Sequence, residues 1–338
     1  MFVELGMTIG GMMIGIPVLF SLILRFLVTG FKMFQIKPRS TVPKALMDKT
    51  LGQHKFVSVN GVQLHYVESG DENKPLILFV HGFPEFWFSW RHQIKYFNKN
   101  YHVVAFDMRG YGESSKPEGI SNYQLEHLVE DIKALVTELG YKRFHLVAHD
   151  WGGGVAWAFT GLHPDMVQTY TACNIPHNLA LVDQLRGSWE QTFKSWYMLF
   201  FQCPVIPELN FLSSDMTFFY GLLRDAGLHK DEELVEAYKF AFNDFKTWNR
   251  TINYYRASAR PGSQARKNIY RQMKNIEVPV LQIFGTGDKY LSVGAAQASA
   301  KFCTNLTTEL LPGVSHWVQQ QEPERVNSLI NQFITKHS

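Results

Sequence analysis

The segment FHLVAHDWGGGVAW, residues 144–157, constrains the fold more than any other part of the chain. FHLVA reads as a buried strand and the glycine-led run after it as the start of a helix, with no linker between them, so the chain must turn sharply at His149-Asp150. The residues two before, two after and three after Asp150 are Ala148, Gly152 and Gly153. Small neighbours are required where a strand-to-helix elbow brings backbone against backbone and holds its tip residue under strain. The tip side chain here is a carboxylate. Asp is also a favoured helix N-cap, which would give Asp150 a structural role only.

Around the elbow the chain alternates strand-like and helical runs. FVSV and QLHYVE flank Asn60-Gly61, a hairpin signal. LILFV (76–80), HVVAF (102–106), FHLVA (144–148), TYTAC (169–173) and VLQIF (280–284) are mostly apolar, as expected of strands covered on both faces of a parallel sheet. Helical stretches such as YQLEHLVEDIKALVTELG lie between them, and the alternation predicts a doubly wound α/β sheet. Residues 177–268 break the rhythm: they are helix-like, rich in Trp, Phe and Tyr, and read as a helical insertion. The expected division is a membrane anchor at 1–31, a linker at 32–54, core at 55–176, a helical cap at 177–268 and core again at 269–338.

The anchor rests on LGMTIGGMMIGIPVLFSLIL, residues 5–24, an uncharged run that as a helix would cross the roughly 30 Å of a bilayer's hydrocarbon. Glu4 ahead of it, the length of the run and the absence of a small-residue cleavage site argue against a signal peptide. Arg25, Lys32, Lys37, Arg39 and Lys44 follow the run and no cation precedes it, so the expected location is a single-pass protein of a membrane, the endoplasmic reticulum first, with its bulk in the cytosol. The triplets at Asn249 and Asn305 fit glycosylation and pull the other way. A net charge of +3, evenly spread, excludes nucleic acid as the expected partner. Cys173, Cys203 and Cys303 are far apart, which fits neither a disulfide framework nor a zinc site. The sequence holds no metal-binding motif and no glycine-rich phosphate loop, so no cofactor is expected.

A carboxylate at an elbow needs no base to become nucleophilic, since its reference pKa is about 3.9. Attack on a carbonyl would give a labile anhydride, so the group suits displacement at an alkyl carbon, leaving an ester that must then be hydrolysed. That second step needs a base, which PGVSHWVQQQEPERV supplies as His316, and an acid to orient it, which IFGTGDKYL supplies as Asp288 just past a strand. It also develops an oxyanion, for which the backbone N–H groups of Phe83, after strand LILFV, and of Trp151 are the expected donors. Asp107 and Arg109 read as structural, His149 as a satisfied buried histidine, and the basic run Arg260, Arg266, Lys267, Arg271 and Lys274 as a solvated face.

Together HGFPEFWFSWR, DMRGYGESSKP, HDWGG, GTGD and SHW resemble the epoxide-hydrolase branch of the α/β hydrolases, from about residue 55 to the end, and the anchor resembles that of its membrane-tethered members. The resemblance implies the α/β-hydrolase fold, with an inserted helical cap and an N-terminal transmembrane helix. It also implies the catalytic order Asp150, Asp288, His316, and two cap tyrosines that donate to the epoxide oxygen. SWYMLFFQCP places the first at Tyr197 and INYYRA the second at Tyr255, with Tyr220 and Tyr254 as the competing assignments. Phe83, Pro84, Trp151 and Trp317 are the expected pocket residues, and Trp189, Phe193, Trp196, Phe200, Phe201, Phe218, Phe219 and Trp248 its apolar cap lining. The expected partners are an apolar epoxide, water, and membrane lipid through the N-terminal helix. Two rivals stand beside this reading. A haloalkane dehalogenase shares the nucleophile, although its members often carry Asn where this chain has Phe83, and a catalytically silent membrane-bound binding protein would leave the filled catalytic positions without a purpose.

Overall fold

The computed structural model describes residues 2–337. The apolar runs form the middle of an eight-stranded sheet: β1 (Gln53–Val59), β2 (Val62–Ser69), β3 (Leu76–Val80), β4 (His102–Phe106), β5 (Phe144–His149), β6 (Val167–Cys173), β7 (Val280–Gly285) and β8 (Leu306–Leu311), in the order β1-β2-β4-β3-β5-β6-β7-β8. β2 pairs antiparallel with β1, through the Asn60-Gly61 turn, and with β4; all the other pairs are parallel. β8, LTTELL, was not legible as a strand. It is an edge strand whose Thr307 and Thr308 face solvent, so it lacks the apolar run that marks a strand buried on both faces.

The helices are α1 (Phe2–Thr29), α2 (Arg91–Phe97), α3 (Leu125–Glu138) and α4 (Asp150–Leu162); then α5 (Asn178–Gly187), α6 (Trp189–Lys194), α7 (Trp196–Phe200), α8 (Ile206–Met216), α9 (Phe218–Asp225), α10 (Glu232–Ala241), α11 (Phe245–Ser258) and α12 (Gln264–Gln272); and finally α13 (Val293–Ala298), α14 (Val318–Gln321) and α15 (Pro323–His337). α2 packs with α15, and α3 with α4, against the sheet. The insertion between β6 and β7 is entirely helical and carries its own aromatic core around Trp248, Phe219 and Phe242. α8 is broken near its end, where Ser214, Asp215 and Met216 all have left-handed φ between 53° and 56°.

Residues 32–54 are not a loose linker. Met33, Leu46 and Leu51 are buried, β1 begins at Gln53, and Arg39 spans two cap elements, bidentate to Asp215 at 2.8 Å on each nitrogen and bonded to Glu236 at 3.0 Å. Arg266, expected on a solvated face, is buried and donates to the carbonyls of Ala257 and Ser258, its long side chain reaching back under α11. Of the two glycosylation triplets, Asn249 lies within α11 with its amide on Glu208, while Asn305 is exposed ahead of β8. Among the described residues, one helix, running on from α1 to Phe34, is long and apolar enough to cross a membrane.

Candidate active site

β3 and β5 are adjacent and parallel, with Val80 in register with Ala148, so the turn after β3 lies over the elbow after β5. The packing there leaves no room for side chains: a Cβ at Gly152 would stand 2.3 Å from the His81 carbonyl oxygen, and one at Gly82 would stand 2.5 Å from the Asp150 Cβ. Asp150 itself has φ +46°, a costly conformation for a residue with a Cβ. The elbow aims its carboxylate at the end of the sheet, where the Phe83 N–H donates to Oδ1 at 2.8 Å. Of the two expected oxyanion donors, the Phe83 N–H already bonds Asp150 Oδ1 in the resting site, while Oδ2 is turned toward His316.

His316 lies after β8 and Asp288 after β7, and the two are joined through Nδ1 and Oδ2 at 2.7 Å. The ring's Nε2 faces Asp150 Oδ2 at 3.5 Å. Asp288 Oδ1 accepts the N–H groups of Tyr290 and Leu291, at 2.7 and 3.0 Å, and Oδ2 accepts Asn174 Nδ2 at 2.7 Å. Burial disfavours charge on His316, but the field of Asp288 and the hydrogen bonds to Asp150 and Asp288 outweigh it and lift its pKa to about 10. Burial would raise both carboxyls, yet His316 holds Asp150 and Asp288 below the usual carboxylate range. The resting site is therefore a buried cation between two carboxylates.

Two cavities meet at this point. The larger, about 750 Å³, and the smaller, about 210 Å³, share Asp150, Tyr197, Tyr255 and Trp196 in their walls. Phe83, Pro84, His316 and Trp317 line the smaller and Trp151 the larger. Tyr197 and Tyr255 meet edge to face at 5.9 Å, and burial, reinforced by neighbouring tyrosine and Asp150, raises both phenols well above their ordinary pKa. The competing tyrosines are committed elsewhere. Tyr254 donates its hydroxyl to the Arg109 carbonyl at 2.8 Å, and the Tyr220 hydroxyl bonds Glu232 on the cap surface.

Part of the expected cap lining is not lining. Phe219 and Trp248 are fully buried in the cap's own core, and Trp189 is 79% exposed on its outside, because α6 turns that residue outward. Asp107 and Arg109 are structural: Asp107 is buried against His65 at 2.7 Å and the Trp87 N–H, and Arg109 clasps Asp131 at 2.6 Å on two nitrogens. His149 has both ring nitrogens engaged, with Glu85 at 2.7 Å and the His316 carbonyl at 2.9 Å. Sequence reasoning missed Asn174 and Glu85. Asn174 directly follows the strand TYTAC, and Glu85 sits in HGFPE; a polar residue at a strand end beside the elbow was the available signal.

Among the described residues, His54, His65 and Glu113 present ligand atoms close enough for one cation, but the two histidine rings bond each other at 2.9 Å and His65 gives its other nitrogen to Asp107.

A family model for the alpha/beta hydrolase fold matches residues 75–323. The chain is 38% identical to epoxide hydrolase 1 of Caenorhabditis elegans, over 94% of this chain and 78% of that one, and 34% identical to human epoxide hydrolase 4, over 90% and 85%. Among solved structures, the Bacillus megaterium epoxide hydrolase crystallised with an inhibitor is superposable with a TM-score of 0.73 at 31% identity, matching 83% of this chain and 100% of that one. The chain belongs to the α/β hydrolases and, within them, to the epoxide hydrolases.

Proposed function

We propose that this protein hydrolyses apolar epoxides, with fatty-acid epoxides as the substrate class, to vicinal diols through an alkyl ester on Asp150. The observation that carries the reading is the clamp on that carboxylate: Oδ1 on the Phe83 N–H at 2.8 Å, Oδ2 facing His316 at 3.5 Å, in a cavity shared with two cap tyrosines. Oδ2 attacks an epoxide carbon, the carbon–oxygen bond breaks, and the electron pair passes to the epoxide oxygen, which takes a proton from Tyr197 or Tyr255. A phenol whose pKa burial has raised stays protonated at neutral pH yet still protonates an alkoxide.

Esterification removes the charge of Asp150, and with it one of the two carboxylates that keep His316 protonated. The proton that His316 then releases ends on the tyrosinate and restores the phenol. The neutral ring, still oriented by Asp288, takes a proton from water as that water adds to the ester carbonyl, and the oxyanion on Oδ1 meets the Phe83 N–H. Collapse breaks the ester's acyl–oxygen bond, and the expelled alkoxide takes the remaining proton of the added water, leaving Asp150 ionised and His316 protonated as at the start, with the oxygen from water on Asp150. The nucleophile thus controls the timing of its own base.

A single turnover in heavy-oxygen water tests this. Label should appear in the peptide containing Asp150 and not in the diol; labelled diol with an unlabelled peptide would mean direct hydration. We further read α1 as holding the protein to the endoplasmic reticulum membrane, catalytic domain in the cytosol, so protease added outside intact microsomes should degrade that domain.

A further inference from the structure

α1 is more than a tether, because one side of it is seated on the cap. Its buried and half-buried residues Met7, Gly11, Ile14, Val18, Leu22 and Arg25 recur at intervals of three and four, which is one stripe of a helix. That stripe lies against α7 and α8. The approach is closest at Gly11, where a Cβ would stand 2.7 Å from the Cys203 backbone nitrogen and the Leu199 carbonyl oxygen, a backbone-to-backbone fit that only glycine permits. At the far end Arg25 donates to Asn210 and Ser213, each at 3.2 Å. From Met7 to Arg25 the stripe runs about 27 Å at a helical rise, so the contact with the cap extends along most of the apolar run.

The opposite side of α1 exposes Met13, Ile16, Phe20 and Leu27, so it needs lipid. Beside it the cap exposes three large aromatic residues, Trp189 at 79%, Phe193 at 71% and Trp196 at 52%. Soluble surfaces rarely gather apolar side chains in this way, whereas tryptophan is enriched at membrane interfaces. Met7 and Ile14 of α1, with Phe193 and Trp196 of the cap, also line the larger cavity. Residues that are at once partly or largely exposed and cavity-lining mark a mouth, and this one lies between α1 and the cap.

We propose that α1 and the α6–α7 edge of the cap form one lipid-facing surface, and that the larger cavity opens through it, so that substrate dissolved in the membrane reaches Asp150 without crossing water. Lipid is the occupant because the surface is continuous with α1, whose uncharged residues 5–24 demand hydrocarbon in any case. The inference rests on the epoxide reading only for what the substrate is.

The test uses the full chain in phosphatidylcholine vesicles with brominated acyl chains, which quench nearby tryptophan. α1 contains no tryptophan, so quenching reports the cap and not the helix. Trp87, Trp90, Trp157, Trp248 and Trp317 are buried and Trp151 lines the inside of the larger cavity, so the quenched emission should come mainly from Trp189 and Trp196. Trp189→Phe should remove a measurable share of the quenching and the Trp189→Phe/Trp196→Phe pair most of it. Unchanged quenching in both variants overturns the proposal, as does doubled mass in detergent with unquenched wild-type tryptophans, the sign of a second copy covering this face. In a second arm Trp189→Asp, at a position outside the cavity, should lower the rate on a long-chain epoxide carried in vesicles by about 3- to 10-fold and leave a short water-soluble epoxide unaffected. An equal effect on both substrates, or none on either, removes the lipid-fed route. The quenching arm needs no substrate, so a failure of the epoxide chemistry would leave it readable.

Discussion

The two walls of the active site are held in different ways. On the core wall each member of the proposed triad is tied by directional hydrogen bonds: Asp150 by Phe83, Asp288 by Tyr290, Leu291, Asn174 and His316, and His316 also through its carbonyl by His149. On the cap wall the tyrosines are held largely by ring packing. Tyr255 sits among Phe201 at 4.8 Å, Trp151 at 4.9 Å and Phe83 at 5.2 Å, and Tyr197 among Phe201 and Tyr290, each at 5.6 Å. Hydrogen bonds fix atoms, whereas aromatic packing fixes planes and tolerates sliding. On the proposed mechanism the covalent steps would fall on the wall fixed by hydrogen bonds, and the proton donors that follow the epoxide oxygen on the wall fixed by packing.

If the core wall carries the covalent chemistry, damage there should be nearly total. Asp150→Ala should lose at least about 10⁴-fold in turnover, the scale seen when a nucleophile is removed. His316→Gln should separate the two steps: the first turnover survives, the ester accumulates as a protein adduct visible by intact mass, and steady-state turnover falls by about 10³-fold. A His316→Gln enzyme that turns over without an adduct would break the contrast between the walls.

Damage on the cap wall should be graded, because two donors share one oxygen. Tyr255→Phe and Tyr197→Phe should each cost about 10- to 100-fold in the rate of ester formation, and the double variant more than either. Tyr254→Phe serves as the control. Its hydroxyl is spent on the Arg109 carbonyl, so it should cost about 1 kcal/mol of stability in urea unfolding and leave ester formation nearly unchanged. A larger kinetic loss at Tyr254 than at Tyr255 would reassign the donor.

The same contrast decides what the sequence reveals. β3 to β7 are legible because central parallel strands need continuous apolar runs, and Asp150, Asp288 and His316 are legible because each follows a strand or stands in a Gly- or Pro-marked turn. The solvent-facing threonines of β8 erase the strand signal, and the packing of residues 32–54 depends on Arg39 meeting Asp215 across 176 positions, which no local pattern encodes. Cap helices have no sheet to set their register, so which aromatic faces inward is decided by tertiary packing. That is why the sequence pattern points both Trp189 and Phe193, four apart on α6, into the pocket although only Phe193 reaches it.

The smallest effect is read on stability, and it tests whether the nucleophile controls the base. His316 has a folded-state pKa of about 10 against about 6.5 for an unfolded histidine, so its charge stabilises the fold fully below about pH 6.5 and that contribution is lost as pH rises through about 10. In Asp150→Ala one of the two supporting carboxylates is gone while Asp288, at 2.7 Å, remains. The ring should therefore release its proton at lower pH than in the wild type, and the alkaline decline of the urea midpoint should begin earlier, with the histidine NMR titration shifting by the same amount. Identical midpoint profiles for the two proteins between pH 6 and 10 would mean that Asp288 alone holds the proton. Esterification of Asp150 could not then convert His316 into a base, and the order of steps proposed for the core wall would have to be rebuilt around a proton taken up by the cap.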